Sequence, residues 1–289
     1  MAKRKTPVRK TKNGTSAGYD SKPGNGHGSN GHFFGWRPEL PDHRDLPYAA
    51  MRLALEQPIA LPAQIDLRPQ CPPVYDQGDL GSCTANAIAG AFQFDRRKQN
   101  LVDFVPSRLF IYYNERSMEG TVSRDAGAFI RDGIKSIARQ GVCKEPTWPY
   151  IVSKFAKRPS TSCYRSATKY QAVSYFRLNN TNLTELKTCL AAGFPFVFGF
   201  VVYPSFFNGD TNHGLVPMPG AESSVGGHAV VAVGYNDTTQ RFVIRNSWGP
   251  GKGDQGYYYM PYQYLTTGTL ADDFWTVRTV TTAALHAPQ

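Results

Sequence analysis

Apolar residues recur with a helical period in three stretches of this chain. Over 82–98, Ala85, Ile88, Ala89 and Phe92 fall at i, i+3, i+4 and i+7, which puts them on one face of a helix, with Ser82 positioned to cap its start. The spacing predicts a second helix over 125–140, with Ile130, Ile134 and Ile137 on one face and Gly141 as its stop, and a third near 182–192. From 194 onward the pattern changes. The runs 194–203, 228–235, 241–246, 256–260 and 274–280 are short, rich in β-branched and aromatic residues, and separated by turn formers. They predict antiparallel strands. A helical first half followed by a β second half is an α+β pattern, and two lobes packed side by side leave a cleft between them.

The N-terminal end follows neither period. Residues 1–32 are Lys, Gly, Ser, Asn and Thr with almost no apolar content, which predicts a disordered basic tail. Residues 33–62 carry Phe33, Phe34, Trp36, Leu40 and Leu46 among prolines. That stretch is too apolar for a linker and too proline-rich for a long helix, so it is expected to lie extended across the folded body at 63–289.

Composition narrows the classes. At 289 residues and 41% hydrophobic the chain can bury a sizeable core. No run approaches the roughly 18 apolar residues of a spanning helix, so no membrane association is expected. The formal charge of +10 suggests an acidic partner, but residues 1–45 hold nine Lys/Arg against four Asp/Glu, and +5 of the +10 lies there. No aromatics interleave with those charges, so a nucleic-acid partner is not expected. The N-terminus lacks the apolar stretch of a secretory signal, and the compartment stays open. The five cysteines show no CxxC spacing, so neither metal nor cofactor is expected. Being odd in number they leave at least one thiol free. The other four either stay reduced and buried, as the missing signal suggests, or form up to two bridges.

Attack on an amide carbonyl needs a nucleophile, a base, a group that orients the base, and donors for the oxyanion. Cys83 in the first turn of a helix would sit at the positive end of the macrodipole, among backbone N–H groups that favour a thiolate. Two glycines in 77–83 (QGDLGSC) permit close backbone approach, and Gln77 offers a side-chain amide. His228 opens a predicted strand after a glycine-rich segment, and Asn246 closes the next one inside Asn-Ser-Trp-Gly. An ionised Cys83 is thus expected at the mouth of a groove, within reach of the His228 ring. Each feature alone has a bland reading: a buried small thiol, a core histidine, a turn.

Together, 77–83, 228–235 (HAVVAVGY) and 246–256 (NSWGPGKGDQG) resemble the three signature regions of papain-like cysteine peptidases, over roughly 62–280. His228 and Asn246 follow Cys83 by 145 and 163 residues, near the separation documented for that family. The resemblance implies a two-lobe α+β fold: a helical lobe, about 80–190, carrying Cys83, and a β-barrel-like lobe, about 191–282, carrying His228 and Asn246. It implies that Gln77 is the oxyanion glutamine, that Trp248 shields the Asn246–His228 hydrogen bond, that Gly127 in 123–129 (SRDAGAF) binds substrate backbone, and that Ala229 edges the main specificity pocket. It implies a monomeric endopeptidase acting on protein or peptide substrates.

The departures are specific. Leu80 stands where the family usually has a cysteine three residues before the nucleophile, and Arg124 stands at its partner half-cystine, so both ends of that disulfide are missing. Thr84 replaces an aromatic, and Lys252 a second tryptophan. Residues 33–62 are expected either to lie over the cleft as an intramolecular inhibitory pro-segment or to pack on a lobe away from it. A catalytically silent binding module would be expected to lose one of Gln77, Cys83, His228 or Asn246, and all four are present.

Overall fold

The computed structural model describes residues 33–55 and 61–281; the expected tail at 1–32 lies outside them. In chain order the elements are α1 Tyr48–Leu55, β1 Gln64–Asp66, α2 Cys83–Lys98, α3 Arg108–Met118, α4 Ile130–Arg139, α5 Thr161–Ala167, β2 Ala172–Arg177 and α6 Leu183–Ala191. Then follow β3 Phe196–Val202, the single turn α7 Asn208–Thr211, β4 Gly226–Asn236, β5 Arg241–Arg245, β6 Tyr257–Pro261, α8 Tyr262–Thr266 and β7 Ala271–Val280.

The helices predicted from apolar period are present, α4 with a later start. Ser82 precedes α2 but makes no capping bond. Its hydroxyl lies 2.5 Å from the Tyr150 hydroxyl and accepts from Asn86 Nδ2 at 3.0 Å. Helix α4 begins at Ile130, five residues later than the predicted 125, because Gly127 takes a left-handed φ of +66° and Ala128 is drawn into a bridge with Trp36. Helix α6 starts as its sequence indicates, the Asn182 side chain accepting the Glu185 amide at 3.1 Å. Helix α3 was not legible from period. Its contiguous Leu109, Phe110, Ile111 and Tyr112 are all buried, and such a run does not distinguish helix from strand. The cap is Ser107, whose hydroxyl accepts the Phe110 amide at 3.1 Å.

All strand pairs are antiparallel, in the order β2-β7-β3-β4-β5-β6, with β1 joined to the last residues of β4. The barrel-like lobe is therefore an open sheet, since β2 and β6 end the path without pairing to each other. Strand β2, within a stretch expected to be helical, joins this sheet through β7. Helix α2 packs against β4 and β7 on one side and against α3 and α4 on the other. Its Ile88 and Phe92 are fully buried. The first turn of α2 is thereby held at the junction of helices and sheet, facing the start of β4.

Among the described residues no helix is long and apolar enough to cross a membrane, and no group of three or more His, Cys, Asp or Glu is gathered to hold a metal ion. All five cysteines are free and buried.

Candidate active site

Residues from distant parts of the sequence converge at that junction. Cys83 opens α2, His228 lies near the start of β4, and Asn246 follows β5, the neighbour of β4. His228 Nε2 lies 2.8 Å from Asn246 Oδ1, which also accepts the Ser247 amide at 2.8 Å. Trp248 stacks on the imidazole with ring centroids 4.7 Å apart and planes 26° from parallel. Phe200 meets the same ring edge-on at 5.8 Å. Both His228 and Asn246 are buried, so this hydrogen bond is shielded from water. The Cys83 thiol lies beside the backbone of Ala229, the residue after His228.

Gln77 is held from two sides. Its Oε1 accepts the Ser247 hydroxyl at 2.7 Å, and its Nε2 donates to the Leu80 carbonyl at 3.0 Å and to the Phe33 carbonyl at 3.1 Å. Ser247 escaped the sequence reading although it lies inside the Asn-Ser-Trp-Gly run. Lys252, at the family's second tryptophan position, is half-exposed and sits 3.6 Å from Asp210.

The expectation of an ionised thiol at an open groove is corrected. Cys83 has 0% exposure, and burial pushes its thiol up to about 12. The chain's own residues 33–37 lie beside it. The Gly35 and Trp36 amides donate to the Gly227 carbonyl at 3.2 and 3.0 Å, the Ala128 amide donates to the Gly35 carbonyl at 2.7 Å, and the Arg37 amide donates to the Ala128 carbonyl at 3.3 Å. The strap is therefore stitched to both walls. It can lie this close only because the walls are glycine there: a Cβ on Gly127 would fall 2.0 Å from the Gly35 carbonyl oxygen, and one on Gly199 would fall 1.9 Å from the Trp36 ring. Gly35 itself contacts the Cys83 thiol. Phe34 faces the His228 ring edge-on at 6.1 Å, and the Trp36 indole N–H donates to the buried Asp273 carboxylate at 3.1 Å. Farther along, Asp45 and Glu39 each lie 2.8 Å from Arg131. The strap then leaves the cleft through α1, whose Tyr48 is fully buried. Of the expected 33–62 segment, residues 33–47 form no helix or strand beyond isolated bridges while 48–55 are helical; 56–60 lie outside the described residues.

The family model for papain family cysteine proteases matches residues 61–273. The chain belongs to that family. It is 43% identical over 271 residues to an uncharacterised peptidase C1-like protein of Acanthamoeba polyphaga mimivirus, an alignment covering 86% of this chain and 87% of that one. The crystal structure of xylellain, a cysteine protease from Xylella fastidiosa, superposes with a TM-score of 0.78 at 44% identity, covering 85% of this chain and 96% of that one. A procathepsin B from Trypanosoma congolense shares the fold at a TM-score of 0.67 and 18% identity, covering 83% of this chain and 84% of that one. This papain-family protein is thus a cysteine protease, a hydrolase of peptide substrates. Its two-lobed papain-like architecture carries an open antiparallel sheet.

Proposed function

We propose that this papain-family protein is a cysteine endopeptidase working through Cys83, His228 and Asn246, kept latent by residues 33–37. In this reading His228 takes the Cys83 proton, and the thiolate attacks the peptide carbonyl carbon. The tetrahedral oxyanion is received by Gln77 Nε2 and the Cys83 amide. Collapse breaks the C–N bond as His228 returns the proton to the departing amine, and water then hydrolyses the thioester. Asn246 holds the imidazole orientation and Trp248 keeps water from that bond. Gly127 and Ala229 line the path of the substrate.

The observation that carries this is the Phe33 carbonyl on Gln77 Nε2, 3.1 Å away, on the loop that leads into Cys83. A carbonyl from the chain's own N-terminal segment occupies the donor that an oxyanion would use. The neighbouring strap amides engage Gly227 and Ala128 as a substrate backbone would. While the strap is seated the thiol keeps its proton, because desolvation disfavours the charged form. Its departure lets in water and substrate together.

Labelling with a thiol-directed epoxide followed by peptide mapping tests the assignment. Modification is expected on Cys83 alone, and to speed up once the strap is released; modification of Cys71, Cys143, Cys163 or Cys189 in its place contradicts the proposal. Gln77→Ala is expected to lower kcat by about 10²–10³ with little change in KM, as loss of one oxyanion donor does elsewhere. Steady-state kinetics on a small peptide measures this.

A further inference from the structure

Gln77 and Cys83 are joined by a loop, residues 78–82, with no regular hydrogen-bonding of its own and with Gly78 at a φ of +54°. The Leu80 carbonyl accepts the Ser82 amide at 2.8 Å and Gln77 Nε2 at 3.0 Å, and two groups outside the loop grip it as well. On one side the grip is Tyr150, whose hydroxyl donates to the Gln77 carbonyl at 2.8 Å and meets Ser82 Oγ. On the other side it is Asp125. The buried Gly81 amide donates to both carboxylate oxygens of Asp125, at 3.0 and 3.2 Å. The buried Tyr112 hydroxyl donates to the same carboxylate and accepts the Gly127 amide at 3.3 Å. A continuous path therefore runs from the loop, through Asp125 and Tyr112, to Gly127 farther along the helical wall of the cleft. Gly81 has to be small there, since a Cβ would lie 3.1 Å from Asp125 Oδ1 and 2.9 Å from the Phe34 carbonyl oxygen.

We propose that Asp125 is a positioning residue for the peptidase reaction, tying the Gln77–Cys83 loop to the Gly127 wall by hydrogen bonds in place of a disulfide. Leu80 and Arg124 stand where the two half-cystines of the family resemblance would be, and Gly81 and Asp125 each follow one residue later. The carboxylate thus bridges the same two segments without sulfur, and its geometry does not depend on oxidation. The inference rests on the Cys83 and Gln77 reading above.

The test is steady-state kinetics on a small peptide, using the full chain with its native strap and with Phe34→Ala and Trp36→Ala. Asp125→Ala is expected to lower kcat by about 10–10²-fold, the cost of a small misplacement near the reacting atoms. Asp125→Asn keeps an acceptor oxygen for Gly81 and Tyr112 and is expected to stay within roughly threefold of the parent. The readout that a merely structural role would not move is the cycle with Gln77→Ala. If Asp125 acts through the oxyanion donor, the double variant loses much less than the product of the two single losses. Tyr112→Phe, which frees the Gly127 amide, is expected to raise KM, and it provides a second variant should Asp125→Ala fail to fold. A kcat for Asp125→Ala within threefold of the parent overturns the proposal, as do losses that multiply independently. Activity retained in Cys83→Ala would strike the underlying reading instead, so the two failures are distinguishable.

Discussion

Cys83→Ala is expected to lower kcat for peptide hydrolysis by about 10⁴-fold or more, as loss of a nucleophile does in other hydrolases. The chain's thermal unfolding should be little changed. The side chain lost is small, and what it touches is mostly backbone: Ala229 on the β4 wall and Gly35 in the strap. No acyl-enzyme forms without sulfur, so the residual rate is what binding and the oxyanion donors supply alone. His228→Ala is expected to fall almost as far. The double variant should be no worse than either single one, because the thiol and the imidazole act as a unit. Turnover with a mixture of substrates, in protein freed of contaminating protease by an active-site titrant, makes the measurement. Undiminished hydrolysis by Cys83→Ala would remove the nucleophile from the proposal.

Releasing the strap is expected to raise kcat/KM by about 10–10²-fold. Burying an aromatic side chain contributes about 1.5–3 kcal/mol, and Phe34 and Trp36 are 8% and 4% exposed. Losing half of their joint contribution, about 1.5–3 kcal/mol, shifts an intramolecular equilibrium by about one to two powers of ten. Phe34→Ala with Trp36→Ala in the full chain should therefore open the cleft, and Cys83 should become alkylable by iodoacetamide at neutral pH, where the strapped chain resists. The pH direction follows from burial: the desolvation that pushes the thiol up to about 12 is relieved, so alkylation begins at lower pH in the variant. Because the strap is part of the same chain, the latency should not vary with protein concentration. An unchanged kcat/KM together with an unchanged alkylation profile would mean that residues 33–37 do not restrain the site.

Local pattern specified the elements whose faces alternate cleanly. The i, i+3, i+4, i+7 spacing along α2 and the isoleucine stripe of α4 announce helices because residues at that spacing share one face; in α4 that face is the buried side, whereas α2 is buried all round as far as Arg96. Helix α3 and strand β2 lacked such a signature. The first is apolar in a contiguous block, and the second has one exposed and four half-buried side chains, so neither carries a period that a single face imposes. The early start assigned to α4 failed for another reason. Residues 125–129 include Asp125 and Gly127, both weak helix formers, and are further held out of the helix by contacts with Gly35 and Trp36, about 90 residues away in sequence.

The chemical types were present in the chain before any fold was drawn: a thiol at a helix start, a histidine opening a strand, an amide closing the next, a glutamine six residues ahead of the thiol. Signature segments and chain order tied them to one family, since those depend only on residue identity and spacing. What the chain alone left open was where the N-terminal aromatics go and what replaces the missing family disulfide, and its expectation of an ionised thiol at an open groove was overturned by burial. Each of those turns on contacts between segments far apart in sequence. Phe34 and Trp36 find glycine-walled hollows made by β3, β4 and the 123–129 wall, Cys83 is buried beside Gly35, and Gly81 finds Asp125 across the loop. Desolvation and close approach are properties of packed surfaces, so only the tertiary structure could decide them.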